Sequence, residues 1–193
     1  TISGATPSGA GMQFDGIDNA VIIGDHVYLP SDLTMEADVV FTPTTDPDYY
    51  SIVSKTSVDG IRGSGRLLFH RVGGINDFRF DWWDDDAYTQ RHTVGIDNFP
   101  VQEQNIIGVT RSASDATLFA NGEQIANAAV NYTLPLDPYN HDGLWIGSDN
   151  YQNGRWQFEG TINDVRISDT VRSDGWMDVS YRSDMDTLFT YYQ

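Results

Sequence analysis

The chain has 193 residues, 39% hydrophobic and 20% charged, which suits one core-forming domain and excludes a disordered tail. Its net charge of −17 is carried almost wholly by Asp, with Glu only at 36, 103, 123 and 159 and one Lys, Lys55. That balance argues against nucleic acid or an acidic membrane as partner, no apolar run reaches the ~18 residues of a membrane span, and the absence of Cys excludes disulfides and thiolate ligands.

Taken in chain order, residues 1–10 are small and polar and read as a flexible lead-in. The stretch NAVIIG (19–24) is β-branched and closes on Gly. LTMEADVVFTP (33–43) alternates, with Leu33, Met35, Ala37 and Val39 on one face. YYSIVSK (49–55) is the next strand. GRLLFHRVGG (65–74) and NDFRFDWWDD (76–85) flank Gly73-Gly74, a hairpin signal. In the second of these, Phe78, Phe80 and Trp82 share one face and Arg79, Asp81 and Trp83 the other. AYTQRHTVGI (87–96), QNIIGVTRS (104–112), ATLFANGEQIANA (116–128), GLWIGSD (143–149) and RWQFEGTINDVRIS (155–168) complete the strands, and Asn121-Gly122 is the strongest two-residue turn signal. A short helix is expected over 174–182, with Ser173 as N-cap and Asp174 in its first turn. Two turns of helix are unstable alone, so it must dock. Strands at this spacing, with Gly, Asp and Pro between them, predict an all-β antiparallel two-sheet sandwich with one C-terminal helix.

Four stretches in order carry a resemblance. GMQFDGIDNAVIIG (11–24), LTMEADVVFTP (33–43), NIIGVTRSASDATLFANGEQI (105–125), and LWIGSDN followed by FEGTINDVRISDTVRS resemble laminin-G-like, concanavalin A-like lectin/glucanase jelly-roll domains. The resemblance implies one domain over 11–185, a last strand that returns to pair beside the first, and a helix capping one end, with 186–193 as a C-terminal tail. Two positions depart from the pattern: Asn105 replaces an aromatic, and Asn163-Asp164 replaces an acidic pair. The first is expected to be neutral for the fold and the second to weaken a cation site.

Three kinds of site are then expected or weighed. A structural calcium (Ca2+) is implied by the resemblance at the FDGIDN loop, with Asp15, Asp18 and Asn19 joined by Asp164 from the last strand, because hard cations take several oxygen ligands. The same residues also read as an Asp15-Gly16 turn whose carboxylate bonds local N–H groups. A glycan site needs an aromatic platform edged with polar groups. Trp83, flanked by Arg79 and Asp81, with Tyr88, Tyr151 and Trp156 near loops, supplies the types, although sandwiches also bury such rings routinely. Catalysis is the third: Glu36 and Asp38 share a strand face, as glucanase acids do, but Phe41 stands where a third acid belongs, so no enzyme is expected.

The leading reading is a noncatalytic extracellular recognition or adhesion module that binds a glycan or a protein surface. The alternative is a structural subunit or decoration protein of a cell-surface filament or viral particle. Both place the chain outside the cell or on a cell or virion surface, without membrane insertion, and the terminal tails offer a route to self-assembly. The opening TISGATPSGAGMQF lacks a basic stretch followed by an apolar one, so no signal peptide is expected within the sequence.

Overall fold

The structure is a computed structural model. It describes residues 1–9, 11–24, 29–42, 49–56, 63–72, 75–83, 91–99, 104–130, 143–149 and 156–185. Among the described residues, fourteen strands form two antiparallel sheets, and one helix follows them. The first sheet has the order β1 (Ile2–Ser3), β4 (Ala20–Ile23), β13 (Leu144–Ile146), β6 (Tyr49–Thr56), β7 (Gly63–Val72), β8 (Ile75–Trp83), β9 (Arg91–Asp97). The second has the order β12 (Glu123–Ala129), β11 (Asp115–Ala120), β10 (Asn105–Arg111), β5 (Leu33–Phe41), β14 (Glu159–Ser168), β3 (Gly11–Asp15), β2 (Thr6–Ser8).

The core lies between the sheets and follows the period-2 pattern. Leu33, Met35, Ala37 and Val39 of β5 are buried and face Phe78, Phe80 and Trp82 of β8, as their alternation predicts. Phe158 packs in the core with its ring 6.0 Å from Phe14 and 5.6 Å from Phe41, both of the second sheet, and its amide donates to the Gly147 carbonyl just after β13 of the first sheet at 2.8 Å. Phe80 stacks on Trp82 at 5.6 Å. Asn121 and Gly122 both take positive φ, 52° and 83°, and close a two-residue hairpin between β11 and β12. Asn121 adds a side-chain bond, its Oδ1 accepting from the Ile106 amide at 3.0 Å.

The last strand does return to the first: Glu159–Ile162 pair with Asp15–Met12, and Gly160–Ser168 pair with β5, with a bulge between Ile162 and Asp164. Residues 1–9 contribute two short edge strands. Ile2–Ser3 pair with β4 at one edge of the first sheet, and Thr6–Ser8 pair with β3 at one edge of the second. The Thr1 ammonium donates to the Ile22 carbonyl at 2.7 Å. Two- and three-residue edge strands are too short to show a periodicity, which is why the sequence pattern misses them. The tail 186–193 lies outside the described residues.

Helix α1 (Asp174–Asp184) runs two residues longer than expected. Ser173 caps it, its Oγ accepting from the Trp176 amide at 3.3 Å. The helix docks on the outer face of the second sheet through Met177, which is buried over Gly108 of β10. A Cβ at Gly108 would stand 2.6 Å from the Met177 Cε, so the missing side chain is what admits the helix.

Candidate binding surface

On the outer face of the first sheet, away from the core, the strand register lines up a single row. Trp145 of β13 lies opposite Ser54 of β6, Ser54 opposite Arg66 of β7, Arg66 opposite Asp81 of β8, and Asp81 opposite Thr93 of β9. Directly paired residues share a face, so Trp145, Ser54, Asp81 and Thr93 lie on the face opposite Phe80 and Val94, which are core. Strand spacing puts about 14 Å between Trp145 and Asp81.

Three polar groups of this row, those of Ser54, Asp81 and Thr93, are fixed. The Thr93 hydroxyl donates to Asp81 Oδ1 at 2.6 Å, and Asp81 is almost fully buried although it sits on the outer face. The Ser54 hydroxyl donates to the Ser148 carbonyl at 2.9 Å, so the chain leaving β13 turns over the same face. Arg79, two residues before Asp81, is half-buried and ion-paired with Asp77. Gly95, opposite Arg79, is one reason the arginine fits: its absent Cβ would lie 3.0 Å from the Arg79 Cβ. Thr93 is exposed, and Trp145 is partly so.

Of the residues expected to bind a glycan, Arg79 and Asp81 are thus on one face and adjacent. Asp81 is a buried anchor rather than an exposed rim group. Trp83 closes β8, but its side chain, and Tyr88 and Tyr151 altogether, lie outside the described residues. Trp156 is elsewhere: it takes φ 62°, and its carbonyl accepts from the Ser51 amide of β6 at 3.0 Å, two strands from β8. The sequence reading passed over Trp145, Ser54 and Thr93. Trp145 carries a usable signal, since Leu144 and Ile146 on either side face the core.

The calcium set expected from the resemblance is not brought together. Asp15 Oδ1 accepts from the Ile17 amide at 2.9 Å and the Asp18 amide at 3.4 Å, which makes it a turn carboxylate. The last strand places Glu159, not Asp164, opposite Asp15. Asp164 lies opposite Asp38, roughly 16 Å further along β14 at ordinary strand rise, and its carboxylate is 2.6 Å from the Arg166 Nε. Among the described residues no group of three or more His, Asp or Glu side chains is placed to hold a metal ion. The residues named for calcium therefore do not fit it as a set.

Glu36 and Asp38 do share the outer face of β5, on the second sheet. Asp38 is engaged as a structural acceptor: its Oδ2 takes hydrogen bonds from Gln104 at 2.8 Å and Asn163 at 3.1 Å. Burial pushes its carboxyl pKa above the ordinary 3.8 against the pull of those two donors, with Asp184 and Asp164 adding in the same direction. Beside this pair, Arg166 donates to Ser180 at 3.2 Å and forms a two-pronged bond to Asp184 at 2.8 and 3.1 Å.

The two antiparallel sheets and the helix that follows them define a concanavalin A-like β-sandwich. The family described as the concanavalin A-like lectin/glucanases superfamily (Laminin_G_3) matches residues 15–176, and the chain belongs to that superfamily. Among solved structures it is similar to the CBM40 of a Ruminococcus gnavus IT-sialidase, at 18% identity and a TM-score of 0.67, over 94% of this chain and 98% of that one. A second structure of that CBM40, bound to α2,3-sialyllactose, matches at 18% identity and a TM-score of 0.65, over 79% of this chain and 83% of that one. The heptameric SAP-like pentraxin of Limulus polyphemus matches at 13% identity and a TM-score of 0.62, over 88% of this chain and 80% of that one. At these identities the likeness is one of fold. No curated protein matches the sequence.

Proposed function

We propose that this domain is a noncatalytic glycan-recognition module of an extracellular or surface-exposed protein, and that it binds along the outer row of the first sheet. The observation that carries this reading is the fixed Asp81–Thr93 pair, aligned with Trp145 on one face. Thr93 commits its proton to the buried Asp81, so its oxygen lone pairs face outward as acceptors for sugar hydroxyls. Arg79 offers N–H donors whose charge Asp77 offsets, which suits hydrogen bonding to neutral hydroxyls. Trp145 offers an aromatic face to the apolar side of a sugar ring. The likeness to a carbohydrate-binding module solved with sialyllactose supports the reading at the level of fold.

The test is a glycan array, followed by calorimetric titration of the strongest hit. Thr93→Val keeps the shape and strand propensity while removing the acceptor, and is expected to weaken binding about tenfold, the equivalent of one lost hydrogen bond. Trp145→Ala should weaken it by a similar factor or more. An array without hits, or unchanged affinity in both variants with melting curves intact, overturns the proposal.

A further inference from the structure

The tip of the β11–β12 hairpin carries a chemically reactive pair. In an Asn-Gly sequence the glycine nitrogen can attack the carbonyl carbon of the asparagine side chain, because the glycine has no Cβ to hinder the backbone rotation this needs. Asn121 and Gly122 are both partly exposed, so water reaches them. Three features hold the pair inert in the folded chain. Both residues have positive φ, 52° and 83°, and a left-handed residue has ψ of about +47°. At that ψ the Gly122 nitrogen stands nearly anti to the Asn121 Cβ about the Cα–C bond, whereas closing an imide ring needs the two eclipsed. The side chain is also pinned: Asn121 Oδ1 accepts from the Ile106 amide at 3.0 Å, and the Asn121 amide donates to the Ile106 carbonyl at 2.7 Å. Finally, α1 lies against the turn. A Cβ at Gly122 would stand 3.0 Å from Tyr181 Cδ1 and 3.3 Å from the Asp178 Cα, so the seated helix leaves the turn no room to rotate.

We propose that Asn121-Gly122 is a deamidation site guarded by α1, and that its conversion is a one-way switch on the docking of that helix. The helix is suited to opening on its own, because Met177 and Ser180 are its buried residues and the rest of it faces water or half-buried surroundings. Once it lifts, the turn can rotate. The Gly122 nitrogen then bonds to the Asn121 Cγ, its proton passes to Asn121 Nδ2, that nitrogen leaves as ammonia, and a succinimide remains. Water opens the ring at either carbonyl. One opening leaves an aspartate at position 121, whose new charge lies on the turn that Asp178 packs against: a Cβ at Gly122 would stand 3.3 Å from Asp178 Oδ1. The other leaves an isoaspartate, which adds a methylene to the backbone of a two-residue turn and disturbs the pairing of Ala120 with Glu123. Either product opposes the return of α1, and neither reverts.

The test is incubation of the full chain at mildly alkaline pH, followed by peptide mass mapping, which also separates this pair from Asn153-Gly154, the other Asn-Gly of the chain. Wild type is compared with wild type in urea, with Met177→Ala, which removes the anchor of α1, and with Val94→Ala, which hollows the core under the other sheet. Each folded chain is held the same interval below its own melting temperature. Conversion at position 121 is expected to be at least about tenfold faster in urea and in Met177→Ala than in folded wild type, while Val94→Ala converts as wild type does. Gly108→Ala carries the comparison if Met177→Ala does not fold. In the converted fraction of wild type, trypsin should cut after Arg182, inside α1, faster than in the unconverted one. Folded wild type converting as fast as in urea, equal acceleration by Met177→Ala and Val94→Ala, or unchanged cleavage after Arg182 overturns the proposal.

Discussion

Arg111 projects from β10 into the space between the sheets, where it is 1% exposed. Its guanidinium donates to the Ser31 carbonyl at 2.6 Å and lies 5.8 Å from the Trp82 ring centroid. Burial lowers its pKa to about 10, which still leaves it charged at neutral pH. Asp38 is the opposite case, an acid that burial makes reluctant to ionise. Its folded-state pKa lies above the 3.8 of the unfolded chain, so the folded state holds this proton more tightly than the unfolded one does. The stability this brings is present below 3.8 and is lost as pH rises through the folded value. Asp38→Asn is therefore expected to be more stable than wild type at neutral pH, with the gain shrinking as the pH falls toward 4. Urea unfolding of both chains across that range checks it, and a gain that grows in acid would have the sign reversed. At this scale the sequence shows which positions are acids and aromatics. It does not show which are buried: Asp81 and Ser54 alternate away from the core, yet Asp81 is closed in beside Thr93 of the next strand and Ser54 by the chain that leaves β13.

Helix α1 was legible because its signals are local: a serine at the N-cap, an acid in the first turn, apolar residues at helical spacing. Where it docks was not, because that depends on a glycine about seventy positions earlier in the chain. Gly108→Ala brings a Cβ within 2.6 Å of the Met177 Cε and 2.9 Å of the Met35 carbonyl. The expected cost is about 1–3 kcal/mol, the range for an overpacked site. A double-mutant cycle with Met177→Ala should give less than the sum of the two single losses, by about 0.5–3 kcal/mol. Strict additivity in urea unfolding would mean that the helix does not rest on this position. The strands follow the same logic. β5 and β8 declare their inner faces by alternation, and the Asn121-Gly122 turn declares its hairpin. The partner of β14 at each position is invisible locally, and a one-residue bulge shifts it further. That is why Asp164 was expected beside Asp15 and stands beside Asp38 instead.

For the molecule as a whole, a net charge of −17 on 193 residues works against compactness. The ion pairs on the second sheet and α1, Arg166 with Asp164 and Asp184, Arg182 with Asp178, involve few of the 28 acids. Salt that screens the remainder is expected to raise the melting temperature between low ionic strength and ~1 M NaCl, where the Debye length is about 3 Å. Each kcal/mol of relieved repulsion corresponds to about 2–4 °C in a chain of this size. A melting temperature that falls over this range, measured by circular dichroism, would show that its surviving ion pairs outweigh the repulsion. The sandwich class and the return of the last strand were both readable, because four short patterns occur in the right order. The lead-in was not, since five paired residues split between two sheets leave no pattern to read.

β14 lies between β5 and β3, with the Thr161 hydroxyl on Gln13 148 positions back along the chain. During synthesis, then, one sheet has a gap between β5 and β3 until residues 159–168 have left the ribosome. Until that strand arrives, β3 and β5 each present an unzipped rim to any neighbouring chain. How fast this sandwich matures, and how often nascent copies stick to one another, should be governed by that single late insertion.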